Sequence, residues 1–143
     1  MNERRPTLEV VAAVIRDGGR LLLARRPAAK RHGGRWELPG GKLLSGETLA
    51  RAAARELAEE LGVRVLAVGE PEGSFRDPGS PYLVRFCPVE IEGEPRPLEH
   101  EELRWVTVEE ARRLDLAPSD ERFLELLEAG PEDGREDGAG GRL

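Results

Sequence analysis

The sequence predicts an α/β (α+β) fold, in which a mixed β-sheet has helices packed on its faces. Apolar, β-branched runs and helical patterns follow one another in irregular order, without the strict β-α-β alternation of a parallel sheet. The chain has 143 residues, which is the length of one domain and enough to bury an apolar core. Aromatic residues make up only 4% of it, so the core must consist mainly of Leu, Val, Ile and Ala.

The first part of the chain predicts a β-hairpin followed by a basic loop. Residues 8–15 and 21–24 are apolar runs typical of buried strands, and Asp17-Gly18-Gly19 between them is a turn signal. Residues 26–35 contain Pro, Lys, Arg, His and Gly, which indicates an exposed loop. Residues 36–38 suit a short strand, and Pro39-Gly40-Gly41 is expected to break any regular element.

Residues 48–61 predict the clearest helix of the chain. Ala, Leu, Glu and Arg dominate this segment and are strong helix formers. Leu49, Ala53, Leu57 and Leu61 recur every four residues and form an apolar stripe. Gly62 is well placed as the C-terminal cap.

The second half predicts more strands, and we expect them at residues 63–68, 82–91 and 103–106. Between the first two lies a Gly- and Pro-rich loop that has room for a short strand around Phe75. Pro88 indicates an edge or bulge position, because proline cannot donate to a ladder.

Two helices are expected near the C-terminus. Thr107 and Glu110 have the spacing of a capping box and begin a helix to about residue 114. Ser119 is expected to cap a last helix that runs to about residue 129. We therefore predict a domain over residues 1–129, followed by a disordered Gly-rich and acidic tail over residues 130–143.

Charge and composition exclude several classes of function. The net charge of −6 argues against a partner such as DNA or RNA, whose binding domains are usually basic. A small anionic ligand needs only a local cluster of Arg and Lys, or a metal ion. Cys87 is the single cysteine, so we expect a buried strand residue and neither a disulfide nor a cysteine zinc site. Without a signal-like start or a long apolar run, the predicted location is cytoplasmic, away from membranes.

Three acidic residues of the predicted helix share one face. Glu56, Glu59 and Glu60 have the spacing i, i+3, i+4, which places them within an arc of about 100° and makes their carboxylates converge. Their mutual repulsion costs about 0.2–0.5 kcal/mol per pair. Arg55 is close enough to neutralise them in part and can pair with Glu59. A solvated helix face is the ordinary explanation, whereas a divalent cation such as Mg²⁺ or Mn²⁺ would remove the repulsion.

Residues 41–63, GKLLSGETLARAAARELAEELGV, resemble the Nudix box, G-x5-E-x7-R-E-U-x-E-E-x-G-U, in which U is aliphatic. Every fixed position of that motif is matched. The segment WELPGGK before it, the residues Ala24-Arg25-Arg26 and the stretch 99–120 are similar to the MutT-like branch of the family. The resemblance covers residues 8 to about 129 and implies a Nudix fold, a mixed sheet sandwiched between helices.

The resemblance also implies a metal site, with Mg²⁺ as the cofactor and Mn²⁺ as a substitute. Its protein ligands would be the carbonyl of Gly40 and the side chains of Glu56, Glu59, Glu60 and Glu99. Glu101 and Glu102 are nearby competitors for the last of these roles. Arg55 would orient Glu56, and Glu47 would support the loop. Among the catalytic candidates, Glu56 is favoured as the general base, with Glu59 and Glu99 behind it.

Substrate contacts follow from the same resemblance. Arg25 matches a phosphate-contacting position, Arg26 is a near alternative, and Lys42 can also reach phosphate; surface residues are the competing interpretation. Asp120 falls where the branch reads the base, although helix capping or a first-turn charge would explain it equally. A carboxyl there would accept from a base amino group, or donate if protonated. His32 and His100 lie in predicted loops and are either phosphate ligands or exposed side chains.

The implied activity is hydrolysis of a nucleoside triphosphate to the monophosphate and pyrophosphate, with oxidised guanine or cytidine nucleotides as plausible substrates. Pro78 is a weak cue for the alternative, cleavage of ADP-ribose or another diphosphate-linked substrate. A further alternative is a nucleotide-sensing module without turnover, but such a module is expected to lose carboxylates of the box. We expect a small-molecule nucleotide as partner, no nucleic acid polymer, and a monomer or homodimer.

Overall fold

Two β-sheets and three α-helices make up residues 6–130, the part of the chain that this computed structural model describes. The strands are β1 (Pro6–Val14), β2 (Arg16–Asp17), β3 (Arg20–Arg25), β4 (Trp36–Glu37), β5 (Gly40–Leu44), β6 (Arg64–Val68), β7 (Gly73–Arg76), β8 (Leu83–Glu92) and β9 (Glu102–Val106). The helices are α1 (Leu49–Leu61), α2 (Val108–Ala111) and α3 (Pro118–Ala129). The predicted tail lies outside the described residues except for Gly130.

The larger sheet is mixed, as the sequence predicts. Its strand order is β5-β1-β8-β6, and β7 also pairs with β8. Strands β1 and β8 run parallel, whereas the pairs β1–β5, β6–β8 and β7–β8 are antiparallel. The second sheet joins β2, β3 and β4 in that order, with β9 on the other side of β3.

The predicted N-terminal hairpin is only partly right. The turn at Asp17-Gly18-Gly19 does reverse the chain, but only Arg16–Asp17 pairs with β3. Strand β1 itself belongs to the larger sheet, between β5 and β8. Residues 11–15 are all buried, and a strand buried on both faces is stable only inside a sheet that is covered on both sides.

Of two expectations about backbone breaks, one is partly right and one is wrong. Strand β4 ends at Glu37, before Pro39, but Gly40 and Gly41 are not part of the break, because strand β5 begins at Gly40 and pairs with β1. Pro88 lies in the interior strand β8 rather than at an edge. It is tolerated because it is the last residue of β8 paired with β1, while its carbonyl accepts a bond from the Gly69 amide at 2.9 Å.

Helix α1 has the predicted ends. The Thr48 hydroxyl accepts a hydrogen bond from the Arg51 amide at 3.1 Å, and Gly62 ends the helix at a φ of 70°. Its buried face contains Ala53, Leu57 and Leu61 as expected, together with the charged residue Glu60.

The last two helices differ from the prediction in detail. Both bonds of the capping box between Thr107 and Glu110 are present, but α2 ends already at Ala111. The cap of α3 is Ala117, which makes no side-chain bond, and Pro118 provides the first turn. The prediction that Ser119 caps this helix is therefore wrong. Ser119 is buried, and its hydroxyl donates to the Asp77 carboxylate at 3.4 Å.

The larger sheet is covered by α1 on one face and by α3 on the other. Successive side chains of β1 point to opposite faces of the sheet, as in any β-strand. Val11, Ala13 and Ile15 belong to the core that contains residues of α1, whereas Ala12 and Val14 pack with residues of α3. Among the latter contacts, the rings of Phe86 and Phe123 are stacked with centroids 4.4 Å apart. No helix within residues 6–130 has the length and apolar character needed to cross a membrane.

Cys87 is a buried residue of β8, which confirms its predicted place. Burial raises the pKa of its thiol to about 11. The thiol is therefore protonated at neutral pH and is a packing group of the core.

Candidate active site

Arg55 ties the loop before α1 to the helix itself. Its guanidinium donates to both carboxylate oxygens of Glu47, at 2.8 and 2.7 Å. It also donates to the Glu56 carboxylate at 2.8 Å and to the Lys42 carbonyl at 2.9 Å. The bonds to Glu47 raise the pKa of Arg55 further above its ordinary value, so this cation is permanent. Because all three of its nitrogens are bonded to Glu47, Glu56 or Lys42, the pairing with Glu59 that the spacing suggests does not form.

Glu60 is a buried acidic residue next to a second carboxyl group. It is only 6% exposed, and its carboxyl is hydrogen-bonded to that of Glu56. Its Oε1 also accepts from the Gly40 amide at 3.3 Å. Burial, followed by the bond and the negative charge of Glu56, raises the pKa of Glu60 to about 9. The two carboxyl groups therefore share a proton at neutral pH.

Glu59 does not join this pair. It is exposed on the same helix, and within residues 6–130 no three acidic, His or Cys side chains are gathered closely enough to enclose a metal ion. The predicted convergence of Glu56, Glu59 and Glu60 thus holds only for two of them. The physical reason is that Glu60 lies on the buried face of α1, next to Glu56, whereas Glu59 lies on the exposed side of the helix.

The backbone around this pair fits a hard divalent cation in its donor chemistry. A Cβ atom on Gly41 would lie 2.3 Å from the Glu56 carboxyl carbon, and one on Gly40 would lie 1.9 Å from the Val11 carbonyl oxygen. The glycines therefore allow main chain and carboxylates to approach each other closely. Carboxylate and carbonyl oxygens are the ligands that Mg²⁺ and Mn²⁺ prefer.

A cavity of about 430 Å³, which we call the carboxylate cavity, opens beside Glu60. It is lined by Arg26, Pro27, Lys30, Glu37, Gly40, Glu60, Glu99 and His100. Three of the predicted metal ligands, Gly40, Glu60 and Glu99, thus face one space. The competitors Glu101 and Glu102 are paired instead with Arg25, at 3.3 Å, and with Arg104, at 3.1 Å.

A second cavity of about 330 Å³ lies against Asp120, and we call it the Asp120 cavity. Asp120 is 7% exposed, and its Oδ2 accepts from the Leu38 amide at 2.8 Å. Burial, followed by the charge of Glu37, raises the pKa of Asp120 well above its usual range. The cap of α3 is Ala117, so Asp120 does not cap the helix, but it does lie in the first turn, as the competing interpretation of a first-turn charge requires.

Glu37 forms part of the wall of both cavities, together with Arg26 and Gly40. Arg26 donates to both Glu37 carboxylate oxygens at 3.1 Å, and His100 Nε2 lies 3.1 Å from Glu37 Oε2. Sequence reasoning assigned no role to Glu37, although it lies inside the segment WELPGGK. The signal that could have found it is an acidic residue in an otherwise buried strand, between Trp36 and Leu38.

The remaining predicted substrate residues are divided between the site and its surroundings. Arg26 lines both cavities, whereas Arg25 lines neither and has its guanidinium 5.9 Å from the Trp36 ring centre. Lys42 lines the Asp120 cavity, with its amino group 4.7 Å from the Tyr82 ring centre. His32 also lines that cavity.

His100 does not match the expectation for an exposed loop residue. Its side chain is only 7% exposed. The pairing with Glu37 explains this burial, because the bond satisfies one polar nitrogen of the ring inside the protein.

Comparisons with known proteins point to one family. A NUDIX domain model matches residues 5–127. The Mycobacterium tuberculosis protein named putative 8-oxo-dGTP diphosphatase 2 is 43% identical over 118 residues, which are 80% of this chain and 84% of the relative. The CTP pyrophosphohydrolase of Escherichia coli is 38% identical over 133 residues, 88% of this chain and 98% of the relative. The solution structure of the E. coli ORF135 protein superposes with a TM-score of 0.72 at 39% identity, covering 85% of this chain and 88% of that chain.

Proposed function

This chain belongs to the NUDIX family, in its MutT-like branch, and from that premise we propose that it hydrolyses nucleoside triphosphates to the monophosphate and pyrophosphate with Mg²⁺. Nudix hydrolases generally use a divalent metal ion. The observation that carries the proposal is the common wall of the two cavities, formed by Arg26, Glu37 and Gly40. A nucleotide whose base occupies the Asp120 cavity can place its phosphates beside Glu60 in the carboxylate cavity.

The choice of a triphosphate rests on the relatives. An 8-oxo-dGTP diphosphatase and a CTP pyrophosphohydrolase both act, by their names, on nucleoside triphosphates. They favour a triphosphate over ADP-ribose or another diphosphate-linked substrate. We propose an oxidised guanine or a cytidine nucleotide, bound as a free small molecule by a monomer or homodimer.

Asp120 suits the role of base reader. Its Oδ2 is occupied by the Leu38 amide, and the raised pKa keeps its carboxyl protonated over a wider pH range than an ordinary aspartate. A protonated carboxyl can both donate to a base carbonyl or ring nitrogen and accept from a base amino group. Such paired contacts reject bases that lack one partner, because a buried polar group is then left unpaired.

The metal ligands we propose are the Gly40 carbonyl and the side chains of Glu56, Glu59, Glu60 and Glu99. When bound there, divalent cations neutralise phosphate charge and lower the pKa of a coordinated water molecule. The proximity of Glu56 and Glu60, and of Glu60, Gly40 and Glu99 on one cavity, supports this assignment.

The protein groups then orient the reactants. Arg26 lines both cavities and is the better placed of the two neighbouring arginines to contact phosphate, with Lys42 at the Asp120 cavity. Arg55 holds the Glu56 carboxylate from one side and thereby orients it for the role of a general base. We keep Glu56 as the favoured general base, with Glu59 and Glu99 behind it.

The experiment is a nucleotide screen with product analysis. The purified protein is incubated with Mg²⁺ and 8-oxo-dGTP, CTP, the common triphosphates or ADP-ribose, and products are separated by ion-exchange chromatography. We expect monophosphate and pyrophosphate in equal amounts from a triphosphate. Glu60→Gln should lose most of this activity, whereas Glu109→Gln, which changes an exposed carboxylate of α2, should keep it.

Other products would overturn the proposal. Release of orthophosphate, or cleavage of ADP-ribose to AMP and ribose phosphate without triphosphate turnover, would replace the substrate class. Nucleotide binding without turnover by the wild-type protein would favour a sensing module.

A further inference from the structure

We propose that His100 is a positioning residue, which fixes the loop that carries Glu99 by its bond to Glu37 and thereby holds Glu99 at the carboxylate cavity. The inference rests on the proposed function, because it takes Glu99 as one of the cation ligands. It assigns to His100 neither a contact with phosphate nor a contact with the metal.

The hydrogen bonding of the His100 ring points to this role. Its side chain is 7% exposed, and Nε2 lies 3.1 Å from the Glu37 carboxylate. Since a carboxylate only accepts, Nε2 carries the proton of that bond. Nδ1 is buried and has no hydrogen-bond partner among the described residues. The bond to Glu37 is thus the one polar contact that compensates the burial of this ring.

Glu37 is a firm anchor for such a bond. It lies in β4, and the preceding residue of that strand, Trp36, pairs with Arg25 of β3. Both of its oxygens accept from Arg26 Nη1 at 3.1 Å. The backbone amide of Arg26 in turn donates to the Arg35 carbonyl at 2.9 Å, so the main chain that carries this guanidinium is held in place.

The chain around Glu99 is fixed on both sides by main-chain bonds. The Leu98 amide donates to the Glu60 carbonyl at 3.1 Å, and the Glu101 amide donates to the Arg25 carbonyl at 2.9 Å. Of the two residues between these anchors, Glu99 is exposed whereas the His100 side chain is buried. With the His100 ring bonded to Glu37, Glu99 faces the cavity that Glu60 and Gly40 also line.

Hydrogen bonds that surround a metal site commonly fix the orientation of its ligands. Loss of such a supporting partner typically costs about 10–100-fold in metal affinity or activity. The imidazole here supports a neighbouring ligand rather than acting as one, because its Nε2 is taken up by the Glu37 carboxylate.

The test measures cation binding separately from turnover. Mn²⁺ affinity is determined by electron paramagnetic resonance on the nucleotide-free protein, for the wild type, His100→Ala, His100→Gln and the control Arg64→Ala, which removes an exposed ion pair with Glu92. The amide of glutamine can donate from about the position of Nε2. We expect His100→Ala to weaken Mn²⁺ binding about tenfold and to lower kcat more than it raises KM. His100→Gln should recover most of both, and Arg64→Ala should match the wild type.

A double-variant cycle tests whether the effect passes through Glu37. If it does, His100→Ala in a Glu37→Ala background should cause little further loss of Mn²⁺ affinity, because the bond is already absent. Additive losses would contradict the proposal. So would a lowered melting temperature of His100→Ala with unchanged Mn²⁺ affinity, which indicates a role in stability alone.

The failure of this inference differs from the failure of the proposed function. A wild-type protein that neither binds Mn²⁺ nor hydrolyses nucleotides would refute both. A wild-type protein that does both, beside a His100→Ala variant with unchanged affinity, would refute only the role of His100.

Discussion

The carboxyl group of Glu60 is hydrogen-bonded to that of Glu56, and the first of them is almost completely buried. Two acidic groups that are hydrogen-bonded to each other cannot both be ionised without a strong cost, unless a cation lies between them. The folded protein therefore carries an electrostatic cost at one point of α1. That cost predicts opposite effects of one substitution on stability and on activity.

Glu60→Gln should stabilise the metal-free protein and inactivate it. The amide removes one of two competing acids and can still donate to Glu56, so we expect a gain of about 1–3 kcal/mol in the free energy of unfolding in EDTA. Thermal unfolding in EDTA and in Mg²⁺ measures this. Mg²⁺ should raise the melting temperature of the wild type, because a ligand of the native state stabilises it, and should raise that of the variant much less. A variant less stable than the wild type in EDTA would show that the carboxyl pair is not strained.

The hydrogen bonds of Arg55 lead to a second prediction, which concerns the loop before α1. Its guanidinium bonds Glu47 through two nitrogens and Glu56 through the third. Arg55→Lys keeps the charge but cannot form this fork. We expect Arg55→Lys to lower kcat at least about tenfold and to cost about 1–3 kcal/mol of stability, the value of charged hydrogen bonds.

Urea unfolding and steady-state kinetics measure the two effects of Arg55→Lys. Arg51→Lys is the matched control, since that residue is exposed on the same helix. A kcat equal to that of the wild type would mean that charge alone, and not the fork, holds Glu56.

The two glycines before this loop should respond differently to alanine. In Gly40→Ala the new Cβ would meet the Val11 carbonyl oxygen at 1.9 Å, which is main chain of the neighbouring strand. In Gly41→Ala it would meet the Glu56 carboxyl carbon at 2.3 Å, which is the end of a flexible side chain. We expect Gly40→Ala to lose more than about 2 kcal/mol of stability, and Gly41→Ala to stay folded with a displaced Glu56 and low activity.

Circular dichroism melts and the pyrophosphate assay separate these two outcomes. A fully active Gly41→Ala variant would show that Glu56 can move aside without loss, and would count against its role as the general base.

The residues around these glycines show what the sequence predicts and what it does not. The helix, its Gly62 cap and the mixed sheet follow from local pattern, because spacing and capping chemistry act within a few residues. The strand at Gly40 does not follow, since its partner is β1, about thirty residues earlier in the chain, and two glycines carry no strand propensity of their own.

The site, too, is predicted by the sequence only in part. The motif predicts that Glu56 and Glu60 act together, but not that Glu60 is buried while Glu59 is exposed. Glu37, Asp120 and His100 become neighbours only through tertiary packing, and pattern alone could not bring them to common cavities. Arg25 and Arg26 are adjacent in sequence, and the alternation of side chains near the end of β3 decides which of them faces the cavities.

Asp120 predicts a pH dependence of stability. Its folded-state pKa is raised above the unfolded value, first by burial and then by the charge of Glu37, with a further contribution from Asp77. An acidic group whose pKa is raised by folding does not reduce the stability of the folded protein below its unfolded-state pKa, near pH 4. It does reduce that stability as the pH rises through its folded-state pKa. Asp120→Asn removes this titration, while its carbonyl oxygen can still accept from the Leu38 amide. We expect the variant to match the wild type near pH 4 and to exceed its melting temperature at about pH 8. Melting curves across that range, with the exposed Asp115→Asn as control, measure the difference, and parallel curves for wild type and Asp120→Asn would contradict the raised pKa.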